Sequence, residues 1–197
     1  LGIEVARPQV DFARLVARSR QVAQRLGGGV AQLLKKAKAP VFMGSARLGP
    51  QLDGLHSVQV EAEGGTAQWL QAPHVILATG ARARELPGLP FDGERVWSYR
   101  DALVAKAAPR SLLVIGAGAI GMEFASFYAA MGTEVTVVEA QSQLLPSSDA
   151  DVAAFVRQAV AKDGIRVHLG AVVKGAQVGP DGVGVQLETA DGGQSLQ

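Results

Sequence analysis

The chain has 197 residues, 48% of them apolar and 19% charged, which is enough for one or two domains with true cores. Nineteen basic and eighteen acidic residues leave a formal charge of +1 spread along the chain, so neither a basic nucleic-acid footprint nor a membrane-binding charge patch is present. Cysteine is absent, which excludes a disulfide framework, thiolate metal sites and cysteine redox chemistry carried by the chain itself.

His56, His74 and His168 are far apart and lack ligand spacing, so no metal is expected. There is no leader signature and no apolar run near the roughly 20 residues of a membrane span, and the default reading is cytoplasmic. Both ends read as cut: the chain opens at "LGIEVARPQV" without a methionine and closes on "TADGGQSLQ", a turn entering a strand.

Asp11 is a plausible cap for a helix starting at Phe12. Phe12, Leu15, Val16, Val22, Ala23 and Leu26 recur at steps of three and four, with Arg14, Arg18, Arg20 and Arg25 largely off that face. Gly27, Gly28 and Gly29 should break or thin it, yet Val30, Leu33 and Leu34 continue the pattern. Two readings stand: a neighbour packed very close, or a loop between two helices. Lys35, Lys36 and Lys38 complement a helix end.

From Ala39 the period changes to that of strands in "APVFMGSARL", "HSVQVEAEGG" and "AQWLQAPHVILATG". Val58, Val60 and Ala62 oppose Gln59 and Glu61, which predicts an antiparallel meander with one wet face. Residues 75–78 are four consecutive apolar side chains and predict a strand buried on both faces, feeding a loop at Thr79 and Gly80. Residues 81–110 hold Pro87, Pro90 and Pro109 and form a connector with one short helix near 98–106.

From Ser111 onward strands alternate with helices: strand, glycine turn, helix 119–131, strand 134–138, helix about 149–162, strand 165–169, then a meander of "AVVKGAQVG" and "GVGVQLETA". That alternation predicts a parallel sheet with helical crossovers. Gly116-Ala117-Gly118-Ala119-Ile120-Gly121 is a G-x-G-x-x-G directly between an apolar strand and a small-residue helix. There Gly116 takes the tight turn, Gly118 admits a pyrophosphate to the backbone, and Gly121 lets helix and strand approach. The helix N-terminus offers free N–H groups to the pyrophosphate. Glu139, 18 residues past Gly121, would accept ribose hydroxyls and repel a 2′-phosphate, and Ala140-Gln141-Ser142-Gln143 supply no arginine. The fingerprint alone leaves NAD and FAD both open at this turn.

Three stretches together carry a resemblance. "VILATGARARELPGLP" is similar to the ATG strand-and-loop of two-dinucleotide flavoproteins, "LLVIGAGAIGMEFASFYAAMGTEVTVVEA" to their NAD fingerprint, and "LLPSSDADV" to the segment after it. Their order resembles the flavoprotein disulfide reductases, and "GMEFASFY" and "ATGARARELPG" are most similar to the dihydrolipoamide dehydrogenases, the E3 components of 2-oxo-acid dehydrogenase complexes. The resemblance implies an α/β, Rossmann-like two-dinucleotide-binding flavoprotein fold. On that frame residues 1–110 are an incomplete FAD-domain portion and 111–197 most of an NAD domain. The family's first glycine fingerprint, C-x-x-x-x-C disulfide, dimerisation domain and acid/base histidine find no match here.

The same resemblance assigns roles by position. Gly116, Gly118, Ala119, Ile120, Gly121 and Glu139 would hold NAD; Gly44, Ser45 and Ala46 would contact the FAD adenine, and Thr79 and Gly80 would lie against the flavin cofactor. Glu123 matches a glutamate near the nicotinamide, and also fits a solvated residue in a helix's first turn. The implied parent is a homodimer that works with complex components and uses both FAD and NAD. An NADH oxidase, another reductase of this architecture, or a stand-alone NAD-binding module fits the same stretches.

Overall fold

The structure, a computed structural model, describes residues 9–190 and 192–196. The opening stretch 1–8 lies outside the described residues. By compactness the chain divides into two units, Leu1–Ser19 with Ala83–Gln197, and Arg20–Arg82. The connector, residues 81–110, is bound to the helix α3 (Ala119–Ala130) beyond it. The hydroxyl of Tyr128 donates to the Ala102 carbonyl at 2.7 Å, and the Trp97 ring lies 6.2 Å from that of Tyr128.

Asp11 caps the first helix as its side chain predicts: Oδ1 accepts the Arg14 N–H at 3.0 Å. Helix α1, Phe12–Lys36, then runs unbroken for 25 residues with Lys35 and Lys36 in its last turn. Neither reading of Gly27, Gly28 and Gly29 holds. The helix passes through them, and a Cβ on any of the three would meet nothing within 4 Å. Each glycine costs about 1 kcal/mol against alanine, which the alanine, leucine and glutamine residues on either side withstand. None of the residues of α1 is buried.

Strands β1 (Ser45–Leu48), β2 (His56–Glu61) and β3 (Ala67–Ala72) form the expected antiparallel meander, in that order. Val60 is buried and Glu61 exposed, as the alternation requires. The other face is not uniformly wet: Ser57 is buried, its hydroxyl donating to the Pro50 carbonyl. Gly49 makes that possible, since a Cβ there would overlap Ser57 and the Trp69 ring.

Residues 75–78, expected as a strand buried on both faces, are not a strand. No described strand pairs with them, and Ile76 is 91% exposed. An apolar run becomes a buried strand only where a sheet receives its N–H and C=O groups, and the meander closes without it. The connector's helix is also shorter than expected: α2 covers only Tyr99–Ala102. Asp101 Oδ2 accepts the Ser98 N–H at 2.8 Å and its hydroxyl at 2.6 Å, a capping contact that winds a single turn.

Strands β4 (Ser111–Ile115), β5 (Glu134–Glu139) and β6 (Arg166–Leu169) form a parallel sheet in that order, with α3 and α4 (Ala150–Lys162) as crossovers. Five of the six residues of β5 are buried, as befits the central strand. Val135 and Val137 pack with Met122, Ala125 and Tyr128 of α3 and Val160 of α4 in the main core. Val138 belongs to a second cluster with Ala171, Val185 and Leu187. Val185 and Leu187 lie in an antiparallel sheet, β7 (Val172–Gly179), β8 (Gly182–Thr189) and β9 (Gly192–Leu196), and Ala171 immediately precedes it. Among the described residues no helix is long and apolar enough to cross a membrane.

Candidate functional site: the glycine turn at the end of β4

Strand β4 ends at Ile115, and the chain reverses into α3 through Gly116, Ala117 and Gly118. Gly116 has φ +102°, a conformation closed to other residues at reasonable cost. At Gly121 a Cβ would overlap the Gly116 carbonyl oxygen, so this glycine sets the approach of helix to turn. At Gly118 a Cβ would meet nothing within 4 Å, so the backbone there faces open space.

A helix start leaves its first N–H groups without partners in the helix. Here the N–H groups of Gly118, Ala119, Ile120 and Gly121 find no acceptor among the described residues, while the next, that of Met122, donates to Gly118 O at 3.0 Å. Open backbone N–H groups beside a Cβ-free position at the positive end of a helix fit a diphosphate group. The residues present therefore fit the phosphate portion of a dinucleotide.

Ala117 differs from its neighbours in being fully buried. Its N–H donates to Glu139 Oε2 at 2.7 Å, while Glu139 Oε1 accepts the Gln141 N–H at 2.8 Å. Glu139 is 8% exposed, and each carboxylate oxygen retains acceptor capacity toward a ribose. Gly116 N–H donates to Val138 O at 2.8 Å, which brings the turn against the end of β5. Of the sequence-predicted residues, Gly116, Gly118, Ala119, Ile120, Gly121 and Glu139 are thus gathered at one place, with Ala117 among them.

Glu123 lies one turn into α3 on its exposed side, between buried Met122 and Ala125, with no ion pair among the described residues. The residues expected to face FAD are less gathered. Ser45 and Ala46 are exposed on β1, where they pair with Glu61 and Val60, and Gly44 is a glycine because a Cβ would overlap the Glu61 carbonyl. Thr79 and Gly80 are exposed in the unpaired stretch, and no hydrogen bond among the described residues joins them to Ser45 or Ala46. Among the described residues no group of three or more acidic, histidine or cysteine side chains could hold a metal.

The loop after β5 holds the start of the "LLPSSDADV" stretch of the resemblance, but its return to the glycine turn was not read from the sequence. Leu145 N–H donates to Ala117 O at 2.8 Å, so residues 141–148 fold back onto the glycine turn. Leu144 is buried, and Leu145 sits at φ +49°, an unfavourable conformation for leucine that the contact holds. Two leucines in the otherwise polar stretch "QSQLLPSSD" were the available signal.

The chain resembles known proteins over nearly its whole length. The family model described as pyridine nucleotide-disulphide oxidoreductase matches residues 3–196. The dihydrolipoyl dehydrogenase of Zymomonas mobilis is 44% identical over 191 residues, covering 97% of this chain and 40% of that protein. The dihydrolipoyl dehydrogenase of Haloferax volcanii is 38% identical over 194 residues, covering 98% and 40%. Among solved structures, LpdA from Mycobacterium tuberculosis superposes with TM-score 0.85 at 30% identity, covering 96% of this chain and 41% of that one. The flavoprotein disulfide reductase RclA from Escherichia coli gives TM-score 0.71 at 27% identity, covering 94% and 41%. The chain thus spans about 40% of the length of the relatives it matches.

Proposed function

The chain belongs to the pyridine nucleotide-disulphide oxidoreductases, and from that premise we propose that it supplies the NAD-binding surface of an NAD-dependent dihydrolipoyl dehydrogenase, an oxidoreductase for protein-bound dihydrolipoamide. In this reading residues 111–197 are the NAD domain and 1–110 contribute part of the FAD domain. The observation that supports it most is the set of four open N–H groups at Gly118, Ala119, Ile120 and Gly121, bordered by the buried Glu139 carboxylate. NAD, when bound, supplies the hydride acceptor. The N–H groups bind its diphosphate, and Glu139 orients the adenosine ribose through its free lone pairs. Glu123, in this reading, borders the nicotinamide end.

With no cysteine, the chain by itself holds no redox disulfide, and no dithiol step is assigned to its residues. The residues expected to face FAD form only part of a surface, so FAD retention is assigned to a parent protein that also dimerises and meets 2-oxo-acid dehydrogenase components. A second reading is a stand-alone, non-catalytic NAD-binding module, which the same open N–H groups and Glu139 would serve.

Calorimetric titration of the chain with NAD and NADP tests the common core of both. A carboxylate facing a 2′-phosphate with no arginine nearby predicts NAD binding at least about tenfold tighter, or about 1.4 kcal/mol. Equal or tighter NADP binding would remove Glu139 from its role. Lipoamide-linked NAD reduction by the isolated chain, with FAD added, is expected to be undetectable; turnover would overturn the division of labour.

A further inference from the structure

A ribose ligand needs only to face the ribose, yet the Glu139 carboxylate is also engaged on its inner side by backbone donors. One oxygen accepts the N–H of Ala117, the second residue of the glycine turn, and the other accepts the N–H of Gln141, the start of the returning loop. The same turn is held by two further bonds, Gly116 N–H to Val138 O and Leu145 N–H to Ala117 O, both at 2.8 Å. The backbone carbonyl of Glu139 meanwhile accepts the Ala171 N–H at 3.0 Å, fixing the strand end from which the side chain projects.

We propose that Glu139 is the positioning residue of the glycine turn: its carboxylate ties Ala117 and Gln141 together and holds the turn, with its four open N–H groups, in an anion-accepting shape. The Ala117 N–H is thereby directed inward, and the diphosphate is left to the N–H groups of Gly118 to Gly121. Because two backbone donors clamp the carboxylate, it cannot swing aside to admit a 2′-phosphate. Removing it has two opposed effects on NADP: relief of repulsion, and loss of the shaped turn. The positioning role predicts that the second offsets the first. This nucleotide consequence rests on the NAD reading above; the clamp itself does not.

The test compares the wild-type chain with Glu139→Ala and Glu139→Gln, by amide hydrogen exchange without nucleotide and by NAD and NADP titration. In Glu139→Ala, exchange at Ala117 should quicken at least about tenfold, the scale of one buried charge-assisted hydrogen bond, with the β4–β5 ladder unchanged. NAD should bind at least about tenfold more weakly and NADP no more tightly than in wild type. Glu139→Gln keeps the volume but offers one acceptor, so one of Ala117 and Gln141 should stay protected; it decides the case where the alanine variant does not fold. Unchanged Ala117 exchange in both variants, or NADP binding that tightens in Glu139→Ala, overturns the proposal. Should wild type take up no NAD, the nucleotide reading fails, while the exchange comparison still decides the clamp.

Discussion

At Gly121 a methyl group has nowhere to go, because its neighbours are the Gly116 carbonyl and, at 3.3 Å, a methyl of Val114. Backbone cannot yield as a side-chain tip can, so Gly121→Ala should destabilise the fold by about 1–3 kcal/mol in urea denaturation. Gly118→Ala should separate stability from binding: its Cβ meets open space, so stability changes by under about 1 kcal/mol while NAD affinity falls. Equal stability loss at both positions would contradict this account. Tyr128, fully buried among Phe12, Trp97, Phe124 and Phe127, carries a different signature. Burial pushes its hydroxyl above the ordinary value of about 10. Its contribution is therefore complete below that value. It declines as pH climbs from there through the raised folded value, where the unfolded chain ionises first. Tyr128→Phe should cost about 1 kcal/mol at neutral pH through the lost bond to Ala102 O, and should flatten the alkaline decline.

At the scale of elements, α1 shows that three glycines interrupt a helix only when something exploits them. Gly28→Ala is expected to stabilise this chain by up to about 1 kcal/mol, read as a higher thermal midpoint and more helical dichroism. A destabilising alanine would mean that a partner packs against the helix there. The connector depends instead on Asp92, whose Oδ1 accepts the N–H groups of Val96, Glu94 and Arg95, each at 2.8 Å. Those donors hold its carboxyl below the usual range, Val96 foremost. The turn is thus supported above the ordinary aspartate value near 4 and loosens as pH falls through the lowered one. Asp92→Ala should speed amide exchange at residues 94–96 at neutral pH and remove that acid dependence.

At the scale of the whole molecule the outstanding feature is apolar surface without a cover. Ile76 and Leu77 are 91% and 67% exposed, Met43 is 79% exposed, and among the described residues β4 carries a strand on one side only. Open edges and bare apolar segments bring chains together, at roughly 25 cal/mol per Å² of apolar area covered. Sedimentation of the 197-residue chain should therefore show concentration-dependent association, reduced by the double variant Ile76→Lys, Leu77→Lys. A sharp monomer at high concentration would instead mark the chain as self-sufficient.

Sequence alone determined the parts whose causes are local. The glycine turn, the crossover helix after it, the central strand β5 and the acid at its end lie within about 30 residues, and their spacing carries the α/β reading. The antiparallel meanders were legible for the same reason, since alternation and turn residues act between neighbours. Only the tertiary structure decided the rest. Residues 75–78 have the pattern of a buried strand, but burial belongs to the sheet that receives a strand, and pattern cannot supply that sheet. Gly27, Gly28 and Gly29 permit close packing without causing it. Glu139 reads as an outward ligand because sequence reports its type and spacing; that its carboxylate also turns inward depends on residues 22 and 2 positions away meeting at one point. Such convergence is a property of folded space, and no periodicity along the chain encodes it.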